Sequence, residues 1–335
     1  MNIGIIGFGG VAKAFIKLVN DKKDYLSEID LDIKIKYIIR KSGGIYNREE
    51  IDLEKLISSN FDLNIFDFKE DIDINYILKN KDIDTIIELT NTNIEDGEPG
   101  LTHIRLALNN NISVVTGNKG PIVLQYRKLK EIADKNKLKL EIGCTTGGAL
   151  PSINVGSYDI AGAEILEIQG ILNGTSNYIL SEMYERNLSY EDILKKAIED
   201  KIAEANYKLD VEGFDTACKI LILANSLMNS DLSLNDLDIE GIDNIDIDFI
   251  NQEKAKNNKI KLIGKVYKEN ENIKAYVKPE IIDINHPLYF VDGKNKGVLY
   301  KTDTLGDISV IGGASGTRNA AASILRDIIN MDKRK

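Results

Sequence analysis

Short apolar runs alternate with amphipathic stretches through the first half of the chain. Asn2 to Ile6 is an apolar run that enters Gly7-Phe8-Gly9-Gly10-Val11-Ala12, after which Ala14, Phe15, Leu18 and Val19 continue at helical spacing. The pattern predicts strand, glycine turn, helix. A second strand, Ile33 to Ile39, ends in Arg40-Lys41-Ser42; a third, Thr85 to Leu89, precedes TNTNIEDGEPG and a helix whose Leu101, Ile104 and Leu108 share a face. Ser113 to Thr116 runs into Gly117-Asn118-Lys119-Gly120-Pro121, and Leu138 to Ile142 into Cys144-Thr145-Thr146-Gly147-Gly148-Ala149-Leu150-Pro151. Strands alternating with helices predict a parallel sheet whose ligands bind at the carboxyl ends of its strands, where Thr90 and Lys119 fall. Residues 43 to 82 carry only short apolar patches such as Leu53, Leu56 and Ile57.

Beyond Pro151 the pattern changes. Ala163 to Leu172 alternates as a strand and runs into Asn173-Gly174-Thr175-Ser176, a turn signal with capping residues, before a helix over Asn177 to Tyr184. Ile220, Leu221, Ala224 and Leu227 mark the buried stripe of a later helix. After the acidic, loop-like segment 229–250, the runs Ile260–Tyr267, Ile273–Val277, Leu288–Val291 and Val298–Tyr300 read as strands without intervening helices, which predicts an antiparallel sheet with helices on one face. Ile311-Gly312-Gly313-Ala314-Ser315-Gly316 then starts a last helix containing Ile324, Leu325 and Ile328, which could close the chain back onto the first lobe. The expected architecture is α/β: a Rossmann-type lobe of residues 1–150 plus 304–335, with an inserted α+β lobe of residues 151–303.

Composition narrows the partners. A net charge of −10 and a pI near 5.0 offer no basic field for nucleic acid or an anionic membrane, so small molecules are favoured. Cys144 and Cys218 alone cannot make a disulfide framework, and no run approaches a membrane span or a signal peptide, so a cytoplasmic protein is expected. His103 and His286 have no neighbours at metal-ligand spacing, and Cys218 reads as a core thiol.

Candidate chemistry concentrates in two places. In the glycine turn, Gly7 and Gly9 allow the tight turn and the approach of backbone N–H groups to a pyrophosphate, while Ala12 is small enough for the helix to pack on the strand. Arg40 and Lys41 stand where an acidic residue would hold the ribose of NAD, and they would suit the 2′-phosphate of NADP instead. The second place is AEANYKLDVEGFDTACKILILAN, residues 203–225. There Asp215 and Lys219 are i,i+4 on a helix, about 5–6 Å apart at Cβ, with Glu204 and Asp210 just upstream. Taken alone, the pair reads as well as an exposed and weak surface ion pair.

Together these segments resemble the homoserine dehydrogenase family over nearly the whole chain. The resemblance rests on GFGGVA at 7–12, ELTNTNIEDGEPGLTHI at 88–104, VVTGNKGP at 114–121, TTGGALP at 145–151, ILNGTSNYIL at 171–180, AEANYKLDVEGFDTACK at 203–219 and IGGASG at 311–316. The chain looks like the short form, without the regulatory extension of longer members. The resemblance implies NAD(P)-dependent interconversion of L-aspartate 4-semialdehyde and L-homoserine by a homodimer assembled through the inserted lobe, and Arg40 and Lys41 favour NADP over NAD. By matching position, Lys219 would exchange the proton at the reacting oxygen and Lys119 would stand near nicotinamide and substrate. Glu204 and Asp215 would hold the substrate, Asp210 would support them, and Asn173, Gly174 and Thr175 would line its site. Gly7, Phe8, Gly9, Gly10, Val11, Thr90 and Gly313 would contact the dinucleotide.

The resemblance also implies a possible Na+ on the backbone carbonyls of Thr146, Gly148 and Leu150, with Gly143 at the position of the usual glutamate ligand. Further departures are Lys201 and Asn206-Tyr207 around Glu204, and Thr317-Arg318-Asn319 in the last turn. Two rivals share the motifs: a dehydrogenase for another small amino acid, and an NADP-binding protein that has lost catalysis.

Overall fold

Strands β1 (Asn2–Ile6), β2 (Lys34–Arg40), β3 (Gly43–Tyr46), β4 (Thr85–Glu88), β5 (Ser113–Thr116) and β6 (Leu140–Glu141) form one sheet, in the order β3-β2-β1-β4-β5-β6. The computed structural model describes residues 1–203 and 207–334. All neighbours in this sheet are parallel except β3, which folds back antiparallel on β2. The central strands are nearly unbroken runs of isoleucine and valine because both faces of a parallel sheet are covered. Ile3, Ile5, Ile35 and Ile87 pack in one core with Phe15 and Ile16 of helix Gly10–Asp21 and with Ala321, Ile324 and Ile328 of helix Thr317–Lys333. The strand order reverses between β1 and β4, and at such a switch point a crevice opens beyond the strand ends.

The chain divides into two compact units, Met1–Thr145 with Gly316–Lys335, and Thr146–Ser315. The boundaries expected at 150 and 304 therefore move. Residues 307–312 form β12 (Asp307–Gly312), which pairs antiparallel with β11 (Lys296–Thr302) and cannot leave the second sheet without breaking that ladder. Its Ile308 and Val310 alternate with polar residues but are only half-buried, as suits an edge strand.

The second sheet runs β12-β11-β7-β9-β10-β8, with β7 (Ile165–Ile171), β8 (Asp238–Ile239), β9 (Lys259–Glu269) and β10 (Asn272–Ile282). It is antiparallel apart from the parallel pair β8 and β10. Helices Gly174–Arg186, Phe214–Leu227 and Ile247–Lys254 all pack on β9. Gly264 makes the closest of these approaches possible: a Cβ there would sit 3.0 Å from Thr216 Cγ2 and 3.2 Å from Ile220 Cβ.

One expected strand and one expected loop differ in this unit. Leu288–Val291 is a turn, with Tyr289 N–H donating to His286 O at 2.9 Å and Val291 N–H to Leu288 O at 3.1 Å. Its apolar character comes from burial of Leu288 and Val291 against Ile171, Ile263 and Leu299, and a short apolar run cannot distinguish a strand from a buried turn. The segment 229–250, read as loop, contains β8 and the start of helix Ile247–Lys254. His286 is structural as expected: its Nε2 meets Gln169 Oε1 at 2.9 Å and its Nδ1 accepts from Leu288 N at 3.1 Å.

Candidate active site

In the first unit the turn after β1 is made from backbone. Gly7 has φ +98°, and a Cβ there would lie 2.4 Å from the Leu89 carbonyl and 2.6 Å from the Thr90 nitrogen. Only glycine lets the ends of β1 and β4 meet this closely. The Gly7 N–H donates to Ile39 O at 2.9 Å, which brings the end of β2 to the same place. Gly9 differs, because nothing lies within 4 Å of its Cβ position. It precedes helix Gly10–Asp21 with no side-chain cap, so the first-turn N–H groups keep their capacity for an anion, and the residues fit a dinucleotide pyrophosphate. A Cβ at Gly10 would approach Thr317 Cγ2 at 3.0 Å. Phe8 and Val11 pack onto the core and fix the turn from beneath. Arg40 closes β2 with its guanidinium 4.5 Å above the Phe68 ring, and Lys41 is exposed beside it.

Thr90 and Lys119 lie just beyond the ends of β4 and β5, and the structure joins their surroundings through a residue that the motif reading left without a role. Glu88, the last residue of β4, is 0% exposed. Its Oε1 accepts the Thr90 N–H at 3.1 Å and the Thr90 hydroxyl, its Oε2 accepts the Thr116 hydroxyl at 3.4 Å, and His103 Nδ1 stands 3.5 Å from Oε1. Asn118 Nδ2 donates to Thr90 Oγ1 at 3.2 Å, while its Oδ1 caps helix Lys119–Lys135 by accepting from Gly120 N at 3.1 Å. The buried carboxylate thus fixes Thr90, and Thr90 fixes the cap from which Lys119 starts. Gly120 is required there, since a Cβ would meet Asn93 O at 2.1 Å. The available signal was an acidic residue ending an otherwise apolar strand, where an isolated charge is costly unless it is paired.

In the second unit the site is made from side chains. Gly213, at φ +88°, ends the turn after helix Lys208–Val211 and starts helix Phe214–Leu227. Thr216 and Ile220 face β9, and Asp215 and Lys219 flank that buried face. The pair is not on the surface: the Lys219 side chain is 15% exposed and that of Asp215 12%. Lys219 Nζ donates to Asp215 Oδ2 at 2.5 Å and to the Leu172 carbonyl at 2.9 Å. Asn173, which follows Leu172, holds the rest. Its Nδ2 donates to Asp210 Oδ1 at 2.7 Å and to Asp215 Oδ2 at 2.8 Å, while its Oδ1 caps helix Gly174–Arg186 through Thr175 N at 2.9 Å and Ser176 N at 3.0 Å. The cap is therefore Asn173, where the sequence pointed to Ser or Thr, and the helix begins at Gly174 rather than Asn177. A Cβ on Gly174 would come 3.1 Å from Lys294 O.

Two carboxylates on one amide create an acidic site with strain in its charge. Burial, and then the neighbouring Asp215, push the Asp210 carboxyl above its usual range, against the Thr175 hydroxyl, the Asn173 amide and Lys219, which favour its charged form. Lys219 faces both carboxylates, bonded to Asp215 and favouring the charged form of Asp210. Glu204 lies outside the described residues.

Near the start of the second unit, the turn containing Thr146, Gly148 and Leu150 is held from within. Gly147 O accepts Lys296 Nζ at 2.7 Å and Leu150 N at 3.3 Å, Leu150 O accepts Ser152 N at 2.9 Å, and the Thr146 and Ser152 hydroxyls are 2.7 Å apart. Gly313, φ +74°, lies against this turn, where a Cβ would sit 2.5 Å from Leu150 N. Among the described residues no group of His, Cys, Asp and Glu could hold a metal, and no helix is long and apolar enough to cross a membrane.

Comparison with known proteins agrees with this arrangement. The homoserine dehydrogenase family model matches residues 151–329. The chain is 37% identical to the homoserine dehydrogenase of Methanocaldococcus jannaschii, over 99% of this chain and 98% of that one. It is 32% identical to the NAD(+)-dependent homoserine dehydrogenase of Pseudomonas canavaninivorans, over 98% and 95%. A crystal structure from Archaeoglobus fulgidus, provisionally assigned as a homoserine dehydrogenase, superposes with a TM-score of 0.88 at 31% identity and covers 99% of both chains.

Proposed function

This chain belongs to the homoserine dehydrogenase family, and from that premise we propose how its own residues carry the reaction. It is an oxidoreductase acting on a CH–OH group, interconverting L-aspartate 4-semialdehyde and L-homoserine with a nicotinamide dinucleotide. When bound, the dinucleotide supplies or accepts the hydride at the reacting carbon. Reduction of the aldehyde leaves a negative oxygen that needs a proton, and a positioned acid typically contributes about 10²–10⁴-fold. Lys219 Nζ gives that proton and takes it back in the oxidative direction. The observation that carries this reading is the holding of Lys219 on Asp215 and the Leu172 carbonyl in a mostly buried setting. The two partners hold the Lys219 nitrogen at one point, where it can meet the reacting oxygen.

Asp210 and Asp215 hold the amino cation of homoserine, and Asn173, bonded to one oxygen of each, keeps the two carboxylates side by side. Thr175 and Gly174 line the same site, and Glu204 joins them by its position in the motif. In the first unit, the N–H groups after Gly9 receive the pyrophosphate, Thr90 borders the nicotinamide end, and Lys119 stands beside it on the cap that Asn118 makes. Arg40, its guanidinium 4.5 Å from the Phe68 ring centre, suits the 2′-phosphate, so NADP is preferred. The first unit is thus the dinucleotide lobe, and the second is the substrate lobe and the face of a homodimer, for which sedimentation should return twice the chain mass.

Purified protein mixed with aspartate semialdehyde and NADPH should oxidise the cofactor and yield homoserine. No turnover with either NADPH or NADH would sink the proposal.

A further inference from the structure

The family resemblance brings with it a sodium ion on the carbonyls of Thr146, Gly148 and Leu150, and the residues around that turn do not fit one. Lys296, the first residue of β11, is 4% exposed, and its Nζ lies 2.7 Å from Gly147 O and 3.2 Å from Ser315 Oγ. A Cβ built on Gly148 would be 3.6 Å from the same nitrogen, so the ammonium rests against the middle of the turn. The Leu150 carbonyl already accepts Ser152 N at 2.9 Å. A second monovalent cation at this turn would have to lie beside a buried ammonium, and like charges at such separations oppose one another strongly in a low-dielectric interior.

We propose that the Lys296 ammonium is the permanent cation of this turn and takes the place of a bound alkali-metal ion. A lysine ammonium has three N–H donors, and here it donates to the Gly147 carbonyl, in the middle of the turn, and to the Ser315 hydroxyl. Because it is tethered, its local concentration does not depend on the salt outside. It also joins two particular segments. Gly147 follows the first passage of the chain into the second unit and Ser315 precedes the passage out, so one side chain fastens both strands of the connection to β11.

The test is melting temperature in sodium, ammonium and choline chloride at equal ionic strength, a measurement that does not depend on turnover and so stands apart from the assigned activity. The wild-type protein should melt at the same temperature in all three salts. Lys296→Met should melt lower in choline chloride by about 2–4 °C or more, the shift per kcal/mol for a unit of this size. It should regain part of that loss, saturably, in sodium or ammonium chloride, where a free cation can enter the vacated place. A saturable, sodium-specific rise for the wild type overturns the proposal, and so does a folded Lys296→Met that is indifferent to the cation. Should the variant not fold, ²³Na relaxation on the wild type decides: a flat titration supports the tethered cation, and saturable line broadening overturns it.

Discussion

The site proposed in the first unit is built from backbone and the one proposed in the second from side chains. Around β1 the working groups are N–H donors, and glycine matters because of what it leaves out: at Gly7 the neighbouring chain is 2.4 Å from a would-be Cβ, and at Gly9 the space is open. Around helix Phe214–Leu227 the working groups are an ammonium, two carboxylates and the amide of Asn173, each bonded to another. A site of the first kind is damaged by adding an atom, and one of the second kind by removing a charge. The two kinds of damage should also appear in different measurements, which gives several ways to break the contrast.

The largest effect is expected from Lys219→Ala. Turnover should fall by at least ~10²-fold, the low end for a lost acid–base group, while NADPH binding measured by fluorescence titration should stay unchanged. Full activity refutes the role of Lys219, and a parallel collapse of NADPH binding refutes the division of labour. Next comes the glycine pair. Gly9→Ala should leave the melting temperature unaltered, since nothing is near its Cβ, but weaken NADPH binding about tenfold, ~1.4 kcal/mol, by filling the pyrophosphate space. Gly7→Ala forces a Cβ into the Leu89 carbonyl at a positive φ and should lower the melting temperature as well. If both variants lose stability equally, the open space at Gly9 is not a ligand cradle.

The contrast also explains what could be read from the residues alone. The strand, glycine turn and helix at GFGGVA were legible from their order, and the parallel sheet followed from uninterrupted Ile and Val runs. The side-chain site was legible only in part. Asp215 and Lys219 showed their spacing, but spacing cannot reveal burial, and a surface pair would have had the same sequence. Asn173 showed itself as a turn residue, while its second task, bridging Asp210 and Asp215, depends on a contact across some forty positions that no local pattern encodes. Glu88 and Lys296 were missed for the same reason, since a lone charge in an apolar strand announces a partner without naming it. β12 escaped because an edge strand needs only half its alternation buried.

A smaller effect tests the end of β2. Arg40→Ala should reduce the preference for NADPH over NADH by roughly fivefold, ~1 kcal/mol for one exposed charge-assisted contact, with little change in kcat on NADH. An unchanged ratio would leave Phe68 as the sole reason for the position of Arg40 and remove the argument for NADP.

The smallest expected effect concerns stability, and its sign follows from charge. Burial and the neighbouring Asp215 hold the Asp210 carboxyl above its ordinary value of 3.8 in the folded protein. The folded state therefore binds this proton more tightly than the unfolded chain does, and stability falls as pH rises from the unfolded value through the folded one. Below 3.8 the contribution is fully present, and it is lost as pH rises through the raised folded value. Asp210→Asn keeps an acceptor for Asn173 and carries no charge, so at pH 7 it should melt slightly above the wild type, by about 1–2 °C. The difference should shrink as both proteins are taken into acid. The same variant should raise KM for homoserine, because one of the two carboxylates proposed to hold its amino cation is gone, and it should leave NADPH binding alone. An Asp210→Asn protein that is less stable than the wild type at pH 7 would mean that Lys219 and Asn173 more than offset the burial of the charge. The carboxylate pair would then be a stabilising feature of the second unit and not a site held ready for a cation.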